Sequence, residues 1–258
     1  MQSKENPRLW GITKVSPDSS LSPSLNRVTN AASFISGRIA PGELVTIFGT
    51  GLGPEKGVSF TLDPITNTVP TNLGGTEVYI RGYAAPVLYA SSTQVNAIAP
   101  YDIGPFQDFT AQVSYQGVLT TSTQSGAETT PALFTANGSG SGQAAALNLN
   151  GTVPDSTHPA TRGSYVSLYF TGGGYTSRRD PIGSVNGSQL NRYINPVSVT
   201  VGGVPATVTF AGAAPGLVTG VGQINIKLAD NTPTGDAIPV IVTVGNTSST
   251  ASVSIAVQ

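Results

Sequence analysis

Gly42-Glu43-Leu44-Val45-Thr46-Ile47-Phe48-Gly49-Thr50-Gly51-Leu52-Gly53 has a counterpart 121 positions later, Gly163-Ser164-Tyr165-Val166-Ser167-Leu168-Tyr169-Phe170-Thr171-Gly172-Gly173-Gly174. Each is a run of β-branched, aliphatic and aromatic residues that ends in glycines, the pattern of a buried strand entering a sharp turn. The same offset carries Gly82-Tyr83-Ala84-Ala85-Pro86-Val87-Leu88-Tyr89-Ala90 onto Gly203-Val204-Pro205-Ala206-Thr207-Val208-Thr209-Phe210-Ala211. An offset of 129 then brings Gln94-Val95-Asn96 onto Gln223-Ile224-Asn225, and Val113-Ser114-Tyr115 onto Val242-Thr243-Val244. Matched stretches in one order predict two tandem immunoglobulin-like β-sandwich domains, at 28–135 and 136–258, preceded by an N-terminal extension over 1–27. The Ser/Gly stretch over 137–142 marks the join as a turn or short hinge.

Outward from these blocks the periodicity stays that of strands. Residues 76–81, 108–115 and 197–201 are short, β-branched or aromatic, and mostly alternating. Gly-rich pairs separate them, and Asn150-Gly151 inside 145–153 predicts a hairpin. Gly-Tyr-Ala-Ala-Pro at 82–86 and Gly-Gly-Val-Pro-Ala-Thr at 202–207 predict tight hairpins with proline near a sheet edge. The repeated Gln-(Val/Ile)-Asn puts two amides on one face of a strand, either to cap loop backbone or to form a polar contact surface. The fold class expected is all-β.

Composition narrows the chemistry. Twelve Lys+Arg against 13 Asp+Glu leave a net charge of −1, and only 10% of residues are charged, against about 25% in an average domain. Basic residues are scattered, which argues against a nucleic-acid partner. No apolar run reaches the ~20 residues of a membrane helix, so no membrane insertion is expected. The absence of cysteine removes disulfides, thiolate catalysis and Cys-type zinc sites. The first residues lack the continuous apolar core of a secretory signal and do not report localisation.

Few constellations could carry catalysis. His158 is the only imidazole; Asp155 lies three residues before it, but no G-x-S-x-G elbow accompanies it, and an exposed loop histidine is expected. Asp102 and Asp108 flank Ile103-Gly104-Pro105-Phe106-Gln107, as Asp230 and Asp236 flank a second loop; structural turns are the first reading and a weak calcium site the second. Gly49-Thr50-Gly51-Leu52-Gly53-Pro54 lacks the helix and the Gly-Lys-Ser/Thr of a phosphate-binding loop. Tyr83, Tyr101, Tyr175 and Tyr193 fall in or near predicted loops, where they are candidates to contact a glycan or a protein partner. No catalytic, cofactor or metal residue is assigned, and the chain is not read as an enzyme.

Arg27-Val28-Thr29-Asn30-Ala31-Ala32-Ser33-Phe34, followed by Ile39-Ala40-Pro41 and the first glycine-bounded block, resembles the uncharacterised Solibacter-type C-terminal domain of secreted acidobacterial proteins. Further matching stretches are Ser92-Thr93-Gln94-Val95-Asn96, residues 131–148, Pro159-Ala160-Thr161-Arg162-Gly163 and Ala211-Gly212-Ala213-Ala214-Pro215-Gly216-Leu217. The resemblance implies a pair of TIG-type immunoglobulin-like domains outside the cell, with no catalytic residues to carry over. Thr-Gly-Gly-Gly-Tyr at 171–175 departs from the Thr-Gly-Leu-Gly usual there.

The expected function is therefore a non-catalytic extracellular or cell-surface subunit, structural or adhesive, with a carbohydrate-binding module as the alternative. Self-association or other surface proteins are the expected partners, and a glycan is the possible ligand. Residues 8–15 hold the only tryptophan and alternate partly, and Leu9, Trp10, Ile12 and Val15 are candidates to join subunits into filaments by adding a strand to an open sheet edge.

Overall fold

The computed structural model describes residues 23–258, and the chain there is all-β. In order come β1 (Ser24–Asn30), β2 (Leu44–Thr50), β3 (Val58–Ser59), β4 (Asn72–Leu73), β5 (Thr76–Ile80), β6 (Tyr83–Ala85), β7 (Val87–Ala90), β8 (Gln94–Ile98), β9 (Asp108–Tyr115) and β10 (Val118–Ser125). They are followed by β11 (Ala132–Leu133), β12 (Gly142–Gln143), β13 (Ala146–Asn148), β14 (Tyr165–Thr171), β15 (Val197–Val201), β16 (Val204–Ala213), β17 (Gly222–Lys227), β18 (Gly235–Val244), β19 (Thr247–Ser248) and β20 (Val253–Val257). A single 3₁₀ turn, Tyr101–Ile103, interrupts them. Leu9, Trp10, Ile12 and Val15 lie outside the described residues.

The first ten strands form two sheets, β1-β2-β8-β7-β3 and β10-β9-β5-β4, with β6 beside β5. Their inner faces bury one apolar cluster that includes Val45, Ile47 and Val95 from the first sheet and Val78, Ile80 and Val113 from the second. The remaining strands follow the order β11-β14-β17-β16-β15-β18-β20-β12 and enclose a separate cluster that includes Val166, Leu168 and Ile224 with Val199, Val201 and Val242. Alternation decides which side chains go inside: β5 reads buried at Thr76, Val78 and Ile80, with half-exposed residues between.

Pairing registers recur between the halves. Thr46 lies opposite Asn96 as Ser167 lies opposite Asn225, and the ladders slip between Val87 and Tyr89 as they do between Val208 and Phe210. β16 runs unbroken, pairing with β15 at its start and with β17 beyond, whereas Pro86 divides the corresponding segment into β6 and β7. Proline has no N–H to give a ladder, which accounts for the break. Both predicted hairpins close through two left-handed residues, Gly202-Gly203 in one case and Arg81-Gly82 in the other, the geometry that matches strand twist. The hairpin expected over 145–153 is only half present: β13 pairs with β14, and residues 152–153 form no strand.

The halves are joined by polar contacts and close packing. The Leu44 N–H donates to Thr171 Oγ1 (2.9 Å), whose hydroxyl donates to the Gly220 carbonyl (2.8 Å). Gly220 (φ +93°) must lack a side chain, because a Cβ there would lie 2.2 Å from Leu44 Cδ1. The Val69 N–H reaches the Gly183 carbonyl (2.8 Å), and the Thr129 hydroxyl reaches the Val244 carbonyl (3.0 Å). The connecting segment over 126–131 passes through this junction, and Ala132–Leu133 already pair with β14.

Candidate functional site

A cleft of about 540 Å³ opens along the connecting segment, between the halves. Its walls are Arg38 and Phe106 from the first half, Glu128 and Thr130 from the connection, and Asn195 and Asn246 from the second. Arg38, Thr130 and Thr247 also line a neighbouring hollow of about 200 Å³, which extends the cleft past Ser33 and Ile35. Clefts between packed units are common sites for small ligands.

Phe106 is the outstanding side chain. It stands 69% exposed on the loop before β9 and has φ +59°, a conformation costing a non-glycine residue roughly 1–2 kcal/mol. The loop is held in that shape from both sides. The Phe106 N–H donates to the Gly126 carbonyl (3.0 Å), and the Gly126 N–H returns to the Gln107 carbonyl (2.9 Å). Arg81 donates to the carbonyls of Asp102 (2.8 Å) and Ile103 (3.1 Å) and to Gln107 Oε1 (3.0 Å). The Arg38 guanidinium lies 5.6 Å from the Phe106 ring centroid, which fixes a cation beside the aromatic face.

Beyond that ring the polar side chains of the lining include two amides and a carboxylate. Asn195 Nδ2 donates to Glu128 Oε1 (3.3 Å), leaving the exposed carboxylate and the Asn246 amide with unused hydrogen-bonding capacity. Behind the wall sits Glu43, fully buried. Its Oε1 accepts from Asn30 Nδ2 (2.7 Å), and its Oε2 accepts from the Ala40 N–H (2.7 Å) and the Thr130 hydroxyl (2.5 Å). Burial pushes the Glu43 carboxyl up to about 7, against the opposing pull of those three donors.

The residues singled out from sequence divide. Tyr83 is 49% exposed on β6, away from the cleft lining. The other three, expected at loops, gather at the junction. The Tyr175 hydroxyl donates to the Tyr101 carbonyl (2.8 Å) with ring centroids 6.4 Å apart, and Tyr193 packs edge-on against Phe170 at 5.3 Å. Burial pushes the Tyr101 hydroxyl up to about 12 and the Tyr193 hydroxyl higher still. These rings close the junction because glycines flank them: a Cβ on Gly173 would strike the Tyr193 ring at 2.3 Å.

His158 is exposed, and the Thr157 hydroxyl stands between its Nδ1 (2.8 Å) and Asp155 Oδ1 (2.6 Å), the reverse of the order a nucleophilic triad needs. Three donors from Thr157 and the His158 backbone hold the Asp155 carboxyl below its usual range, as a turn would. Asp102, Asp108, Asp230 and Asp236 are all exposed, Asp108 accepting from the Ser125 hydroxyl. Among the described residues no three His, Asp or Glu side chains converge as metal ligands. The repeated amides bond to each other on the outer sheet faces, Gln94 to Asn96 at 3.0 Å and Gln223 to Asn225 at 2.8 Å, instead of capping loops.

Phe106 escaped the sequence reading. Its signal was an aromatic between Gly104-Pro105 and Gln107 in a predicted loop, but nothing in the sequence places Arg38, Asn195 or Asn246 beside it.

No protein-family model matches the chain, and no curated protein matches it. Among solved structures it aligns with SGBP-B from a complex xyloglucan utilization locus in Bacteroides uniformis, at 12% identity and a TM-score of 0.26, covering 89% of this chain and 48% of that one. A second alignment, to a crystal structure with xylogluco-oligosaccharide, has 13% identity and a TM-score of 0.24, covering 89% and 40%. The chain thus spans less than half the length of either. Scores of this size do not amount to a shared fold. Among the described residues no helix is long and apolar enough to cross a membrane.

Proposed function

We propose that the protein is a non-catalytic carbohydrate-binding module of two tandem immunoglobulin-like units, working outside the cell, with the junction cleft as its glycan site. The observation that carries this reading is Phe106, an exposed ring held at the mouth of a cleft whose opposite wall offers Glu128, Asn195 and Asn246. A pyranose presents an apolar C–H face and an equatorial ring of hydroxyls. Phe106 supplies the flat apolar surface, and the amides and carboxylate supply directional acceptors and donors. Among the described residues Glu128 is the one carboxylate in the lining, whereas hydrolysis by paired acids requires two at about 5–9.5 Å. Binding without cleavage fits that set. The balanced charge favours a neutral polysaccharide over an acidic one.

Affinity electrophoresis in gels containing neutral or acidic polysaccharides tests the reading. The wild-type protein is expected to be retarded by a neutral polymer, and Phe106→Ala to lose at least tenfold in affinity with an unchanged melting temperature. Wild-type migration unaffected by every polymer, or retardation of Phe106→Ala equal to wild type, overturns it.

A further inference from the structure

A second hollow, of about 210 Å³, opens beside the start of β14, at the end of the second half away from the first. β14 runs from Tyr165 to Thr171, and Thr171 is the residue that bonds to Leu44 across the junction. At about 3.3 Å per residue the hollow stands roughly 20 Å from that contact. Among the described residues its lining is Asn148, Leu149, Asn150, Pro159, Thr161 and Ser164, none charged and none shared with the cleft.

Two amides in that lining offer complementary hydrogen-bonding capacity. The Asn148 amide donates both hydrogens, to the His158 carbonyl (2.8 Å) and to Thr152 Oγ1 (3.1 Å). A carbonyl only accepts, so the amide orientation is fixed and Oδ1 is the atom left over. That oxygen is buried and has no donor among the described residues. Folded proteins seldom leave such an acceptor unpaired, because its lost hydration is not replaced. Asn150 presents the opposite polarity. Its Oδ1 accepts from the Thr152 hydroxyl (2.8 Å) and the Thr152 N–H (3.1 Å), leaving its Nδ2 hydrogens without an acceptor among the described residues. Thr152 thus holds both side chains through one hydroxyl. The backbone is held as well, by the Gly151 N–H on the Asn148 carbonyl (2.9 Å) and the Asn148 N–H on the Thr152 carbonyl (2.8 Å). Leu149, between the two amides in sequence, is 82% exposed.

We infer that this hollow is a second binding site, which takes the vicinal diol of a single sugar residue. One hydroxyl of such a pair donates to Asn148 Oδ1 and its neighbour accepts from Asn150 Nδ2, while Leu149 and Pro159 supply apolar surface for the C–H face. Only the choice of a neutral sugar over another diol rests on the glycan reading of the cleft. Two sites on one chain hold a polysaccharide at two points, which raises apparent affinity without any new contact.

Amide chemical shifts of the full chain, titrated separately with methyl β-D-glucopyranoside, methyl α-D-mannopyranoside and cyclohexanol, test the assignment. The expected result is saturable shifts across 148–152 and 160–164 with at least one glycoside, in the millimolar range of a single small ligand, and none with cyclohexanol. Asn150→Asp keeps the oxygen that Thr152 bonds and removes the donor, so it should fold as wild type and bind about fivefold or more weakly. Shifts absent from both segments with either glycoside, equal with cyclohexanol, or undiminished in Asn150→Asp overturn the assignment. Shifts confined to 195 and 245–247 overturn it while sustaining the cleft, whereas shifts at 148–152 and 160–164 alone sustain it and count against the cleft.

Discussion

Glu43 and Thr130 meet at the junction, the Thr130 hydroxyl donating to Glu43 Oε2 at 2.5 Å. Asn30 bridges the same pair, donating from one amide nitrogen to Glu43 Oε1 and to the Thr130 carbonyl (3.0 Å). A buried carboxyl thus pins the connecting segment that floors the cleft. No charged group contributes to its titration; burial and hydrogen bonds account for it.

Because burial raises the Glu43 carboxyl from 4.5 to about 7, the folded state holds a proton that the unfolded state has released between those values. Stability is therefore expected to fall as pH rises from 5 to 7, by up to about 3 kcal/mol from this group, and to gain nothing further from it above that. Glu43→Gln should flatten that slope. Denaturant melts at pH 5, 6, 7 and 8 measure it, and equal slopes in the two proteins would refute the assignment.

Tyr101 and Tyr193 are expected to stay protonated at pH 11, because burial disfavours the phenolate. Their raised values mean that stability they contribute below pH 10 is lost as pH climbs toward 12. Absorbance titration at 295 nm in the folded protein should fall short of the nine tyrosines of the sequence until the chain unfolds.

Gly220→Ala is expected to destabilise the junction by roughly 2–4 kcal/mol, since its Cβ would meet Leu44 Cδ1 and the Gly42 carbonyl at a positive φ. A chemical melt that shifts by less than 0.5 kcal/mol would show that the halves separate there at little cost.

Arg81→Ala is expected to cost about 1 kcal/mol and to free the loop carrying Phe106, because three of its acceptors lie between Asp102 and Gln107. Limited proteolysis should then cut within 101–107 in the variant and not in the wild type. Arg81→Lys should recover only part of the protection, since an ammonium cannot reproduce the planar fork.

How much of this could be read in advance depended on range. The strands at 76–80 and 197–201 were legible because a two-residue alternation of side chains is a local property, that at 44–48 as a short apolar run bounded by glycines, and the left-handed Gly202-Gly203 turn because glycine alone enters that region freely. Arg81 adopts the same turn without a glycine's signal, supported by contacts more than 20 residues away. The tyrosines illustrate the opposite case. Loop position suggested exposure, but close packing on glycines, Gly42 against Tyr101 and Gly173 and Gly222 against Tyr193, drew both rings inward, while Phe106 stayed outside.

Local alternation, glycine placement and the 121-residue repeat determined by themselves that this chain forms β-sheets, where its hairpins close and which residues of each strand face inward. The cleft was decided only by tertiary structure. Arg38, Phe106, Glu128, Asn195 and Asn246 come from segments over 200 residues apart at the extremes, and no local period records their meeting. Glu43 makes the same point chemically: its place in the sequence is an ordinary turn position before a strand, and only burial beside Asn30 and Thr130, 13 and 87 residues away, removes the water that would have kept it acidic.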